Sequence, residues 1–270
     1  MRVVILCGGF GTRIRDVTDD VPKPMIPIGE RPILWHIMKG FARFGYDDFI
    51  LCLGYKGWAI KRWFLDLQLA GSDFSMRLDE PNQVQLHDAG GVEPWRITFA
   101  ETGLDTLTGS RIKRIEKYIE GDSFMVTYGD GVGNIAIDEL VATHQKHQRL
   151  ATVTAVRSPG RFGEMEIDHN RVVEFNEKPL VAPGWISGGF FVFHRDIFKR
   201  INNEQNIILE QEPLQELAHD GQLMAYHHAG FWHPMDSSRD YKYLNDLYQR
   251  GRTPWCDYSD DQDQRRRAAA

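Results

Sequence analysis

Two short segments near the start of the chain combine residue types that bind phosphate. The first is Gly-Gly-Phe-Gly-Thr-Arg at residues 8–13, directly after an apolar run, and the second is Pro-Lys-Pro-Met at residues 22–25. Glycines let the backbone come close to a ligand and present a run of N–H groups, to which Thr12 can add a hydroxyl. Arg13 can bind phosphate through two parallel hydrogen bonds, and the prolines beside Lys23 restrict the backbone that carries it. These residue types predict a cradle for a triphosphate.

The glycine spacing distinguishes this loop from two better-known phosphate loops. It lacks the G-x-x-x-x-G-K-[ST] pattern of a P-loop, and the third glycine of G-x-G-x-x-G is missing after Gly11. A glycine-rich turn alone, or an exposed lysine alone, would be ordinary. The two segments in succession favour a phosphate site.

Two aspartates stand where a carboxylate could reach an ion bound to a ligand. Asp130 lies between two glycines directly after the apolar run 123–128, and Asp236 precedes the last predicted helix. Mg²⁺ in nucleotide sites takes one or two carboxylates together with substrate phosphates. By itself, however, Asp130 could be a turn residue, and Asp236 could be an acidic residue that the helix dipole favours. The residues alone leave both interpretations open.

The elements that must position these residues alternate between strands and helices in the first half of the chain. Apolar runs predict strands at 3–7, 48–53, 96–101, 123–128 and 151–156, and helical spacing predicts helices at 32–45, 57–69, 110–119 and 135–148. The second half predicts short strands at 164–167, 172–175, 188–193 and 223–227 and helices at 196–201, 212–218 and 240–251, while 73–92 stays unassigned. This order predicts an α/β fold with a doubly wound, mixed and mostly parallel sheet.

Three candidate loops follow strands of that sheet. They are residues 8–13, Gly-Tyr-Lys-Gly at 54–57 and Gly-Asp-Gly at 129–131. Ligands of such sheets bind outside the carboxyl ends of the strands. We therefore expect the three loops to converge on one site.

Composition limits the classes of protein that this chain could represent. Its 270 residues are 42% hydrophobic and 26% charged, with 32 Lys+Arg against 38 Asp+Glu and a net charge of −6, which argues against a nucleic-acid polymer as partner. Three cysteines without a C-x-x-C pair argue against a disulfide framework or a zinc site and favour a reducing compartment. No apolar run approaches ~20 residues and none resembles a signal peptide, so we expect a soluble cytoplasmic protein. We expect one domain over residues 1–256 and a disordered polar tail over 257–270.

A string of motifs in one order resembles a known family. L-C-G-G-F-G-T-R followed by K-P resembles the signature of the sugar-1-phosphate nucleotidyltransferases. G-E-R-P-I-L-W-H-I-M-K, T-G-S-R-I-K-R-I, T-Y-G-D-G-V, N-E-K-P, S-G-G-F-F-V-F, E-Q-E-P-L and G-F-W-H-P-M-D-S-S-R-D are similar to those of the glucose-1-phosphate cytidylyltransferases within it. The resemblance runs from residue 1 to about residue 255.

This resemblance implies a Rossmann-like nucleotidyltransferase fold with a small β-rich sugar-binding portion. It implies the reaction of CTP with glucose 1-phosphate to give CDP-glucose and pyrophosphate, Mg²⁺ as cofactor and a homo-oligomer. It further implies a first step towards CDP-linked deoxysugars, in the biosynthesis of nucleotide sugars and of the O-antigen of lipopolysaccharide. Neither a nucleic acid nor a membrane is implied as a partner.

The resemblance also implies a role for each residue of the site. Arg13 and Lys23 are the expected catalytic residues, and Asp130 and Asp236 the expected metal ligands. The residues expected to bind nucleotide are Leu6, Cys7, Gly8, Gly9, Phe10, Gly11, Thr12, Arg13, Lys23, Thr106, Arg111 and Gly129. The residues expected to bind the sugar phosphate are Gly163, Glu177, Lys178 and Gly189.

Alternatives to this assignment remain at the level of the sequence. A dTTP- or UTP-specific glucose-1-phosphate nucleotidyltransferase would keep the same catalytic residues and differ in the base pocket, for which Arg111 is our candidate donor to cytosine. A non-catalytic regulatory protein of the same fold would be expected to lose Arg13, Lys23 or an aspartate, and this chain keeps them. We expect His144 and His147 to lie on a solvated helix face. We expect Trp58 and Trp63 to make core or subunit contacts.

Overall fold

The computed structural model describes residues 1–11, 14, 21–87, 93–157, 164–168, 171–176, 184–202 and 206–256. Its strands are β1 Val3–Leu6, β2 Pro27–Ile28, β3 Arg31–Pro32, β4 Asp48–Leu53, β5 Phe74–Arg77, β6 Glu80–Leu86, β7 Arg96–Glu101, β8 Ser123–Tyr128, β9 Gly131–Gly133, β10 Ala151–Arg157, β11 Glu164–Asp168, β12 Arg171–Asn176, β13 Trp185–His194, β14 Leu223–His228 and β15 Trp232–Pro234. Its α-helices are α1 Ile33–Ala42, α2 Gly57–Ala70, α3 Thr108–Arg114, α4 Ile137–His147, α5 Glu212–His219 and α6 Ser238–Gln249.

A seven-stranded sheet forms the centre of the molecule, in the order β14-β10-β13-β8-β1-β4-β7. β1 pairs in parallel with both β4 and β8, β4 with β7, and β10 with β14. β13 runs antiparallel to β8 and β10. The sheet is therefore mixed and mostly parallel, and the predicted fold class is confirmed.

The core lies on both faces of this sheet, because successive side chains of a strand point to opposite faces. In β1, Val3 and Ile5 belong to one cluster of buried residues, which also contains residues of α1, α4 and α6. Val4 and Leu6 belong to the other, which contains Ile112 of α3. All four β1 side chains are buried, as the continuous apolar run predicts.

The helices begin and end close to their predicted positions, with two exceptions. α3 stops at Arg114 and is followed by a separate 3-10 helix, Glu116–Tyr118, where one helix over 110–119 was predicted. The predicted helix at 196–201 is a 3-10 helix, Arg195–Lys199. None of the described helices has the length and apolar content needed to cross a bilayer.

Small strand pairs account for much of what the sequence left unassigned. β5 and β6 form a hairpin within the unassigned 73–92, and β11 pairs with β12 in the predicted β-rich portion. β9 pairs with β15 in the register Trp232↔Gly133, His233↔Val132 and Pro234↔Gly131. This three-residue ribbon joins the segment after β8 to the segment before α6, and it positions the site.

The side-chain expectation for His144 needs correction. His144 is buried at 3% exposure, because its face of α4 packs on β10, where its ring lies 2.8 Å from the Thr152 hydroxyl. The predicted solvated face is therefore wrong for His144, whereas His147 is half-buried and contacts the same hydroxyl. Burial lowers the pKa of His144 to about 4. Trp63 packs against the core as expected, whereas Trp58 is 65% exposed in the chain.

Candidate active site

A cavity of about 330 Å³ opens beyond the carboxyl ends of β1 and β8. Two of the three predicted loops contribute to it, and the third, residues 54–57, touches the first through the Tyr55 N–H, which donates to the Gly8 carbonyl at 3.2 Å. The predicted convergence is thus seen for the loops at 8–13 and 129–131, while the described part of the loop at 54–57 lies behind the first loop and does not line the cavity. The described residues that line the cavity are Leu6, Gly8, Gly9, Gly11, Ile14, Lys23, Pro24, Thr108, Arg111, Tyr128, Gly129 and Asp130.

The glycine loop approaches other protein groups on one side and solvent on the other. A Cβ on Gly8 would lie 2.2 Å from Nη1 of Arg111, so no larger residue fits there without displacing that side chain. Gly9 is exposed, and a Cβ there would meet no atom within 4 Å, so its backbone has room for a ligand. Phe10 is 43% exposed and lies 5.3 Å from the ring of Tyr55.

Several predicted nucleotide residues do not line the cavity or lie outside the described residues. Cys7 and Thr106 are buried beside it, and with Phe10 they are absent from the described lining. Thr12 and Arg13 lie outside the described residues, so their predicted roles stay predictions.

Arg111 holds three backbone segments together behind the glycine loop. Its Nη1 donates to the carbonyls of Leu53 and Gly103 and to the Thr102 hydroxyl at 2.7–2.9 Å, and its Nη2 donates to the carbonyls of Gly8 and Leu104 at 2.9 and 3.1 Å. The side chain is almost fully buried, and burial lowers its pKa. Its terminal N–H groups thus point at protein acceptors. The predicted donation from Arg111 to cytosine stays a prediction.

Lys23 lies between the two predicted metal ligands. Its Nζ donates to Oδ2 of Asp130 at 2.6 Å and to Oδ1 of Asp236 at 2.5 Å. Burial alone would lower the pKa of Lys23, but the two carboxylates outweigh burial and raise it. Tertiary structure thus brings together three of the residues that the sequence singled out. Asp130 is 107 residues and Asp236 is 213 residues from Lys23 in the chain.

Local structure explains why these three side chains meet. Lys23 opens a 3-10 helix, Lys23–Met25, whose preceding Pro22 is extended and whose Pro24 is buried. Asp130 follows β8, and its carbonyl accepts from the Met235 N–H at 2.8 Å, so the ribbon of β9 and β15 places Asp236 next to it. The predicted strand-end position of Asp130 is the reason it reaches the cavity.

A buried acid fixes the backbone of Asp236. Ser237, not Asp236, is the N-cap of α6, since its hydroxyl accepts from the Asp240 N–H. In return, Oδ2 of Asp240 accepts from the Asp236 N–H at 3.1 Å and from the Ser237 hydroxyl at 2.8 Å, and Oδ1 lies 3.1 Å from Nε2 of His233. Burial would raise the pKa of Asp240, but the hydrogen bonds from His233 and Ser237 outweigh burial and lower it to about 2. Asp236 therefore lies directly before the N-cap of α6 and does not cap the helix itself.

The predicted sugar-phosphate residues are only partly described. Gly163, Glu177 and Lys178 lie outside the described residues. Gly189 has a φ of 74°, and a Cβ there would lie 2.9 Å from the ring of Tyr128, which lines the cavity. Gly189 is thus placed at the edge of the site.

Sequence reasoning missed a second group at the cavity. The Tyr128 hydroxyl donates to Glu210, whose other carboxylate oxygen accepts from the Thr108 hydroxyl at 2.8 Å. Both partners of Glu210 line the cavity, and burial together with Glu210 raises the pKa of Tyr128. The sequence signal that could have indicated Glu210 is the E-Q-E-P-L motif, which begins at this residue.

The residues present fit a divalent cation that is shared with a substrate. Asp130 and Asp236 already hold one positive group between their oxygens, and carboxylate oxygens are the ligands that Mg²⁺ prefers. Within the described part of the chain, no group of three or more acidic, histidine or cysteine side chains could hold a metal ion. Two carboxylates would therefore need phosphate or water oxygens to complete a magnesium site.

Comparison with known proteins agrees with this fold and site. The family model for nucleotidyl transferases matches residues 2–257. The glucose-1-phosphate cytidylyltransferase of Salmonella typhi is 45% identical over 256 residues, which cover 94% of this chain and 98% of that protein.

Two solved structures share the fold at lower identity. HddC from Yersinia pseudotuberculosis has a TM-score of 0.66 at 24% identity, covering 92% of this chain and 99% of that one. The inositol-1-phosphate CTP transferase from T. maritima has a TM-score of 0.61 at 17% identity, covering 92% and 96%. Sequence match, fold and site agree, and the chain belongs to the nucleotidyl transferase family.

Proposed function

We propose that this chain transfers the cytidylyl group of CTP to glucose 1-phosphate and releases pyrophosphate. The observation that carries the proposal is the 45% identity with the Salmonella typhi glucose-1-phosphate cytidylyltransferase. That similarity extends over nearly the whole of both chains, so it is not confined to the phosphate-binding signature. CDP-glucose is the second product.

The reaction is an in-line displacement at phosphorus. A phosphate oxygen of glucose 1-phosphate attacks the α-phosphorus of CTP, and the bond to the leaving pyrophosphate breaks. The attacking oxygen is already an anion, so no general base is required. The work of the protein is to hold two anions together and to offset their charge.

Lys23 is the cation that we propose for the reacting phosphates. It lines the same cavity as Gly8, Gly9 and Gly11, so its ammonium can approach an α-phosphate held on the backbone N–H groups of that loop. Arg13 is proposed to bind the β- and γ-phosphates, because it follows the loop directly in sequence.

The sugar phosphate is assigned on sequence alone. We assign Lys178 to its phosphate and Glu177 to the sugar hydroxyls, as the N-E-K-P motif implies. Gly163 and Gly189 would let the backbone approach the hexose. The position of Gly189 against Tyr128 supports a sugar site next to the described cavity.

Asp130 and Asp236 are the residues that would hold Mg²⁺. A bound Mg²⁺ ion supplies positive charge to phosphate oxygens and so reduces their mutual repulsion. The protein's own part is to keep the two carboxylates adjacent. The β9–β15 ribbon and the Asp240 hydrogen bonds support this role.

The cellular setting is proposed from the reaction. We propose the cytoplasm, because the reaction consumes a nucleoside triphosphate, and a pathway towards CDP-linked deoxysugars and O-antigen. A homo-oligomer is supported by exposed apolar side chains on α2 and on the β5–β6 hairpin, namely Trp58, Leu65, Phe74, Met76 and Leu78. Light scattering on the purified chain tests the oligomer.

One assay tests the function. Pyrophosphate release is measured with glucose 1-phosphate and each of CTP, UTP, dTTP, ATP and GTP, with reactions lacking the sugar phosphate as controls. CTP is expected to give the highest kcat/KM. A preference for dTTP or UTP would replace the cytidylyl assignment and leave the reaction type standing. Absence of release with all five would favour a non-catalytic protein of this fold.

A further inference from the structure

The ammonium of Lys23 occupies the space between the two carboxylates proposed to bind metal. It contacts one oxygen of each, at 2.6 Å for Asp130 and 2.5 Å for Asp236. All three side chains are at most one-third exposed, so solvent screens the cluster only in part. The Lys23 ammonium therefore pairs with both acids.

A metal ion on the same oxygens would lie close to the Lys23 ammonium. Mg²⁺ requires oxygen ligands at ~2.0–2.1 Å, so an ion bound to the same oxygens would lie less than about 5 Å from the Lys23 nitrogen. A divalent ion and an ammonium repel each other strongly at such a distance in a partly buried site. The ammonium and the metal ion therefore compete for the two carboxylates.

A bound nucleotide would provide alternative anionic partners for the Lys23 ammonium. Lys23 lines the cavity beside the glycine loop, where a triphosphate would present several anionic oxygens to it. The same phosphate oxygens would complete the coordination of a metal for which, among the described residues, only two carboxylates are gathered. Nucleotide binding thus removes the competitor and adds ligands in one step.

We propose that Lys23 is a built-in competitor of the divalent cation, which keeps Asp130 and Asp236 from binding metal until nucleotide phosphates draw the ammonium away. The proposal rests on the proposed function for its nucleotide and its metal. Metal and nucleotide then strengthen each other's binding, and by linkage the effect is reciprocal. Removing the positive charge of Lys23 lowers catalysis but tightens metal binding to the protein alone.

Mn²⁺ binding to the full chain without nucleotide tests the proposal. Mn²⁺ serves as the probe, and its unbound fraction is read by electron paramagnetic resonance. The wild type is compared with Lys23→Met and with a matched control, Lys61→Met. Lys61 also pairs with an acid, Glu101 at 2.5 Å, but away from the cluster, so the control makes the same change in net charge.

The Kd for Mn²⁺ is expected to fall at least ~10-fold in Lys23→Met and to stay unchanged in Lys61→Met. Adding Asp130→Asn to Lys23→Met is expected to abolish the gain, since one ligand is lost. Equal Kd values in Lys23→Met and the wild type would overturn the proposal. A gain that survives Asp130→Asn would also overturn it, because the new site would lie elsewhere.

Melting temperature gives a second readout in case Lys23→Met is less stable. In Lys23→Met the ammonium that contacts both carboxylates is gone, so Mn²⁺ is expected to raise the melting temperature of Lys23→Met more than that of the wild type. An equal rise in both would contradict the proposal. The Mn²⁺ measurements use neither CTP nor glucose 1-phosphate. They can therefore contradict the competition by Lys23 while the pyrophosphate assay supports the proposed function, and they can support the competition while that assay contradicts the function.

Discussion

Replacing Arg111 by alanine tests whether the buried guanidinium organises the nucleotide loop. Arg111 donates to the carbonyls of Gly8 after β1, of Leu53 at the end of β4 and of Gly103 after β7. Alanine removes all of these hydrogen bonds together. The change therefore removes the one described side chain that joins the three segments.

The expected loss of stability follows from the count of acceptors. Five acceptors lose a partner. A net contribution of ~0.5–1.5 kcal/mol for each hydrogen bond would give roughly 2.5–7.5 kcal/mol. Water from the adjacent cavity can reach some carbonyls, and the cost of burying the charge disappears, so we expect the low end, about 3 kcal/mol. For a chain of this size, that corresponds to a fall in Tm of roughly 6–12 °C.

Urea unfolding measures the loss of stability, and steady-state kinetics measure the KM for CTP. The matched control is Arg114→Ala on the same helix, since Arg114 is exposed and donates to the Thr102 carbonyl at 2.6 Å. We expect less than ~1 kcal/mol for the control and an unchanged KM for CTP. Arg111→Ala is expected to raise that KM several-fold, because Gly8 loses its anchor. Equal stability of the two variants would refute this account of Arg111.

Three further predictions concern Asp236, Asp240 and the buried His144. Asp236→Asn is expected to fold normally and to lose at least ~10²-fold in kcat, because an amide is a poor magnesium ligand; full Mg²⁺-dependent pyrophosphate release would contradict its role. Asp240→Ala is expected to reduce kcat while Ser237→Ala costs only about 1 kcal/mol of cap stability and spares kcat, since only Asp240 accepts from the Asp236 N–H; equal kcat values would remove Asp240 from the positioning of Asp236. The free energy of unfolding is expected to drop by about 2–3 kcal/mol between pH 6.5 and pH 4, because the unfolded chain binds a proton that buried His144, with its pKa of about 4, does not. His144→Gln is expected to remove most of that contribution, and urea unfolding with the same pH slope in both proteins would contradict it.

The local sequence pattern was sufficient to predict the main strands and helices and to single out Lys23 and Asp130. β4, β7 and β8 have the predicted bounds, because continuous apolar runs mark buried parallel strands. Lys23 and Asp130 were singled out because their neighbours, prolines and glycines, restrict or permit particular backbone shapes. Such constraints act over a few residues, so they can be predicted from the sequence.

Tertiary structure decided how these residues are used. Lys23 meets acids 107 and 213 residues away, and the three-residue strands β9 and β15 that align them are too short to show a periodic pattern. Arg111 was singled out from its motif, but only the fold shows that its terminal N–H groups bind acceptors on three segments that are distant in sequence. His144 was predicted to be solvated, yet it is buried against β10. Periodicity reports which faces of an element differ, but contacts between elements distant in sequence determine which charges are neutralised and which side chains are buried.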